Sequence, residues 1–111
     1  MAVVKIMQGD SYVVFINLTV DQQVLTPEMV EDVEVCVGEV LRKTYSAGSV
    51  GFDASSQMWY IRPTQEETLA MEEDVYEVTA RARFMDGGNP DVVGIKVGRI
   101  MIVNGQSGEV I

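Results

Sequence analysis

The chain of 111 residues has no histidine, one cysteine and three prolines, and its 8 lysines and arginines face 17 aspartates and glutamates. Each shortage closes off a class of chemistry. Without histidine, the side chain that titrates near neutral pH is missing, and with it the usual general base and the usual activator of a serine or cysteine nucleophile. A single cysteine excludes an internal disulfide, and with no histidine beside it the residues argue against a zinc centre. Cys36 alternates with valines in Val-Glu-Val-Cys-Val (33–37) and reads as a small strand residue. The nearest approach to a calcium loop, Asp86, Asn89 and Asp91 in DGGNPD, lacks a glutamate at calcium-loop spacing and reads as a turn. No cofactor is expected. The net charge of −9 repels phosphate backbones and anionic membranes, so neither is an expected partner. No apolar run approaches the roughly 18–20 residues of a membrane span. The opening MAVVKIMQGD lacks a long apolar stretch with a small-residue cleavage site, so no signal peptide and a cytoplasmic origin are expected.

What the chain has in quantity is alternation. Hydrophobic residues make up 47% of it, enough to fill the core of one domain spanning residues 1–111. Tyr12–Val20 places Val14, Ile16, Leu18 and Val20 on one face, while its other face carries Val13 and Phe15. Val33, Val35 and Val37 point inward together, and Gly38-Glu39 predicts a tight hairpin after them. Thr26 and Pro27 predict a helical turn in 25–33. A short extended piece is expected near Val50 and Phe52, and Met58–Pro63 reads as a strand ended by proline. Tyr76, Val78, Ala80, Ala82 and Phe84 share one face of the clearest strand, opposite Glu77, Thr79, Arg81 and Arg83. In the last strand, Ile95 and Val97 share one parity and Ile100 and Ile102 the other, which predicts a β-bulge at Gly98. Between two of these runs lies Thr64-Gln-Glu-Glu67, a capping box that opens a helix of about two turns near residues 65–71, with Leu69 and Met71 packing it down. The expectation is an all-β, antiparallel immunoglobulin-like sandwich of about seven or eight strands with this short helical corner.

Two stretches carry a family resemblance: QGDSYVVFINLTVDQQ, and WYIRPTQEETLAMEEDVYEVTARARF. With Gly9, Asp10 and Ser11, then Thr64, Glu66 or Glu67, Thr68, Tyr76 and Val78, the chain resembles the immunoglobulin-like N-terminal domain of phage baseplate upper proteins and related prophage tail modules. It departs from that pattern at Asp74-Val75, where the family has a glycine before the tyrosine. The resemblance implies a virion part that docks on other phage structural proteins and on copies of itself, in rings or trimers.

The residues point independently to contact rather than catalysis. Val13 and Phe15, with Ile100 and Ile102 on the two-sided last strand, are the candidate protein-interaction residues. Serines stand in no nucleophile motif, and the glycines of DGGNPD and NGQSGEV follow no phosphate-loop spacing. The function expected is a non-enzymatic structural module. The alternative is an immunoglobulin-like ligand-binding or adhesion domain directed at carbohydrate, with Tyr45, Trp59 and Tyr60 as candidate stacking residues. Trp59 and Tyr60 are adjacent, so in a strand they face opposite sides.

Overall fold

The computed structural model describes residues 3–85 and 92–105, except for the side chain of Lys96. The expected DGGNPD turn lies outside the described residues. Among these residues, ten strands and one short α-helix follow in order: β1 (Val3–Met7), β2 (Val14–Ile16), β3 (Thr19–Val20), β4 (Gln23–Val24), β5 (Val30–Val37), β6 (Leu41–Thr44), β7 (Val50–Asp53), β8 (Met58–Ile61), α1 (Gln65–Ala70), β9 (Asp74–Phe84) and β10 (Val92–Val103). They form a five-stranded sheet, β1-β10-β9-β5-β6, a three-stranded sheet, β2-β8-β7, and the small hairpin β3-β4. The chain is all-β in class.

The strand count exceeds the expected seven or eight because the run Tyr12–Val20 is not one strand. It breaks after β2, and its end turns back through Asp21 (φ 51°) and Gln22 (φ 65°) into β4. Two successive central residues at positive φ are the geometry of a two-residue hairpin whose twist matches the flanking strands. One pairing also departs from the antiparallel expectation. β1 runs parallel to β10, with Val3 opposite Arg99 and Met7 opposite Val103. β1 and β10 are far apart in the sequence, so no tight turn imposes antiparallel pairing on them.

Alternation builds the core as expected. Val14, Ile16 and Leu18 are buried, as are Val33, Val35 and Val37 and the Val78, Ala80 and Ala82 face of β9. Residues of both larger sheets join in one apolar cluster. The β-bulge falls at the expected place: the β9–β10 register shifts between Lys96 and Gly98. The turn joining β5 to β6 is longer than Gly38-Glu39, for Val40 belongs to it and donates its N–H to the Val37 carbonyl at 3.2 Å. Gly38 stands at φ +53°, under the ring of Tyr76, where a Cβ would come within 3.0 Å of that ring. Pro27 opens a 3-10 turn, Pro27–Met29, although the Thr26 side chain makes no capping bond to its backbone.

α1 forms for the reason its sequence supplies. The Glu67 N–H donates to Thr64 Oγ1 at 3.2 Å, and Glu67 Oε1 accepts from the Thr64 N–H at 2.9 Å. Two free amides of the first turn are thus satisfied reciprocally. Six residues are too few to hold a helix alone, and tertiary contacts complete it. Met71 is buried and Leu69 is half-buried, its Cδ2 3.4 Å from where a Cβ on Gly9 would lie.

Candidate interaction surfaces

Three surface regions hold the residues in question. The first is the outer face of the three-stranded sheet. Pairing places Phe15, Tyr60 and Gly51 in one row across β2, β8 and β7. Phe15 is 50% exposed, and its ring meets Tyr60 edge-on at a centroid separation of 6.0 Å. Gly51 lets the Tyr60 ring lie flat on β7, since a Cβ there would fall 2.3 Å from it. A shallow groove of 320 Å³ runs beside this row, lined by Val13, Phe15, Ala54, Tyr60 and Arg62. Two of the four expected interaction residues, Val13 and Phe15, are therefore brought together on an open face.

The other two are not. Ile100 and Ile102 are each 1% exposed and belong to the core. The two parities of β10 were expected to leave apolar residues on both sides of the strand. The bulge re-aims the chain instead, so Ile95 opposite Ala80 and Ile100 opposite Tyr76 pack against the same core. The carbohydrate platform does not assemble either. Trp59 is fully buried, donates its indole N–H to the Leu25 carbonyl at 2.9 Å, and meets Tyr45 at 5.3 Å and Phe52 at 5.1 Å. Tyr45 packs on the core with it, while Tyr60 faces the opposite side of β8. The strand's two-residue period separates these aromatic rings.

The second region is the outer face of the five-stranded sheet, where charge is paired across strands. Glu34 on β5 accepts from Arg81 on β9, at 3.0 Å from Nε and 2.7 Å from Nη2, and from Arg42 on β6. These guanidinium groups, Arg81 first, hold the Glu34 carboxyl below its usual range. Asp32 accepts from the N–H and the hydroxyl of Ser46 and from its neighbour Val33. Cys36 lies half-buried beside this network. Burial and then the Glu34 carboxylate push its thiol pKa up, which disfavours the reactive thiolate. A hollow of 340 Å³ lined by Asp32, Glu34, Arg42, Arg81 and Arg83 follows the pairs. Among the described residues, no three of cysteine, aspartate and glutamate converge to hold a metal ion.

The third region is the corner at α1. Thr68 is wholly buried; its hydroxyl donates to the Asp10 carbonyl at 2.8 Å and accepts from the Gly9 N–H at 3.0 Å. Gln8 donates its side-chain amide to the Met71 carbonyl at 2.8 Å. Lys43 reaches Glu67 at 2.6 and 2.7 Å, so one carboxylate serves both the capping box and an ion pair. The sequence marked Thr64 and Glu67 as the opening of a helix. It carried no signal that Thr68 would clamp the loop after β1, because the two are 58 residues apart.

Comparison with known protein families, with curated proteins and with solved structures gave no match. No helix among the described residues is long and apolar enough to cross a membrane.

Proposed function

We propose that the chain is an immunoglobulin-like structural module of a phage or prophage tail or baseplate, without catalytic activity, that works by docking on neighbouring subunits and on copies of itself. The observation that carries the docking role is Phe15. A phenylalanine left half-exposed on the edge strand β2, edge-on to Tyr60, beside a groove and on an open sheet face, is the kind of anchor that protein interfaces bury.

Several features support the immunoglobulin-like reading. The order β10-β9-β5 in one sheet and β2-β8-β7 in the other follows the division of such sandwiches into G-F-C and B-E-D sets. Tyr76, near the start of β9 and just after the corner helix, donates its hydroxyl to the Glu72 carbonyl at 2.7 Å. That bond is the pattern of a tyrosine corner. The tryptophan sits on β8 instead of the strand corresponding to C, so the core differs from that of antibody domains. The phage reading is supported by the two stretches that carry the resemblance. They touch in space, through Thr68 against Gly9 and Asp10.

Phe15→Asp tests the docking role. It should fold with an unchanged circular dichroism spectrum and lose association in sedimentation velocity at high concentration. Association unchanged by the substitution would overturn that role for this face. Flanking genes that encode no tail or baseplate component would overturn the phage reading separately.

A further inference from the structure

β10 is twelve residues long and is paired with β9 along nearly all of it. On its other side, β1 covers only Arg99–Val103. Among the described residues, nothing pairs with Val92–Gly98 on that side. Ile95 and Val97 are correspondingly only half-buried, although they face the core. An unpaired row of N–H and C=O groups beside half-covered apolar side chains is a template for another strand.

The other sheet edges are shorter, and two of them are capped at one end. On β1, the Met7 N–H and carbonyl are both taken by Asp10. On β6, the Thr44 N–H and carbonyl are both taken by Ser49. β2 has only three residues, and β7 has four. Val92–Gly98 contains no proline and no acidic residue, in a chain with 17 acids. Two molecules of charge −9 meet there with least repulsion.

The occupant follows from the backbone. Gly38 bonds the Glu77 carbonyl from the β5 side, so odd residues of β9 face β5 and even ones face β10. Ala80 and Ala82 are opposite Ile95 and Val93, which leaves the backbone groups of Val92, Gly94 and Lys96 facing outward. This pattern is complementary to itself. Antiparallel pairing about a two-fold axis at Gly94 sets Val92 against Lys96 of the second copy, Gly94 against Gly94, and Val93 against Ile95 on the core side. No base then opposes a base.

We propose that the Val92–Lys96 edge of β10 pairs antiparallel with the same edge of a second copy, joining the two five-stranded sheets across a two-fold axis. This deepens the self-association within the function proposed above and rests on it; the edge adjoins Phe15 only at Val97–Gly98, where they line one small hollow, and the paired stretch is centred on Gly94.

Gly94 makes the test specific. It has no positive φ, and a Cβ there meets nothing within 4 Å, so a side chain can be added without disturbing the fold. Gly94→Lys and Gly94→Glu each place like charges opposite one another at the axis. In sedimentation equilibrium, the wild type should dimerise and bind more tightly as salt rises. Each variant alone should dimerise at least tenfold more weakly, and an equimolar mixture of the two should recover a heterodimer. A wild type that stays monomeric, or variants that dimerise like the wild type, would overturn the pairing. Dimers lost in Phe15→Asp but kept in both Gly94 variants would overturn the edge while leaving the docking role intact.

Discussion

Thr68→Val removes one hydroxyl and keeps the shape of the side chain. The hydroxyl of this fully buried residue serves two backbone groups of the loop after β1, the Asp10 carbonyl at 2.8 Å and the Gly9 amide at 3.0 Å. An ordinary hydrogen bond contributes about 1 kcal/mol net, and a buried group left without a partner costs about 1–3 kcal/mol. The Asp10 carbonyl belongs to an exposed residue and can turn to water, whereas the Gly9 amide is part-buried against α1. The expected loss is therefore about 2 kcal/mol, above the lower bound and short of two full penalties. For a domain of this length, that lowers Tm by about 9 °C. Thr68→Ser is the matched control: it keeps the hydroxyl and gives up one methyl, at about 1 kcal/mol. Urea unfolding followed by the fluorescence of Trp59, the one tryptophan and a buried one, measures all three proteins on one scale. The reasoning fails if Thr68→Val falls within about 0.5 kcal/mol of the wild type, which is inside the range of surface substitutions. It fails equally if Thr68→Ser is the more damaging of the two.

Three further outcomes are expected. Trp59→Phe leaves the Leu25 carbonyl without its donor and opens space against Tyr45 and Phe52, at about 2–4 kcal/mol by the same urea assay. Gly105→Ala would place a Cβ 2.4 Å from the Gln8 carbonyl oxygen, so the β1–β10 end must shift. The expected cost is about 1–3 kcal/mol, with faster hydrogen exchange at Gln8. Glu34 and Glu67 both have depressed pKa values. At Glu34 the Arg81 bond leads; at Glu67 burial pulls upward, but Lys43 and the Thr64 amide outweigh it. A carboxyl with a folded pKa below its unfolded value of about 4.3 stabilises the fold above that pH. Its contribution is lost as pH falls through the folded pKa. Stability should drop between about pH 5 and pH 3, and the drop should be shallower in the Glu34→Gln, Glu67→Gln double variant.

Where neighbours along the chain decide, the sequence was readable. Alternation at Val33, Val35 and Val37 and along β9 located the core faces, and the capping box located α1 to within a residue. Gly98 was readable as a bulge, but its effect was not. A phase slip says that two parities are apolar; it does not say whether they lie on two sides or are turned onto one. That depends on how the extra residue twists the strand, and here it brings Ile95 and Ile100 to one side. The aromatic candidates failed for a related reason. Period two separates Trp59 from Tyr60, but only the packing of β8 between β2 and β7 decided that Tyr45 would go with the tryptophan. Phe15 was legible because its own strand placed it opposite Val14 and Ile16. The Thr68 clamp and the parallel β1–β10 pair were not legible, since both join residues that only the completed fold brings together.

That parallel pair also fixes how the molecule bears load. β1 is entered at Val3 and β10 is left at Val103, at opposite ends of the same ladder. A pull on the two ends of the chain therefore drags the strands past one another, and all five rungs resist together. An antiparallel hairpin pulled from its open end would part rung by rung. Rupture in this geometry is governed by the unfolding barrier, not by equilibrium stability.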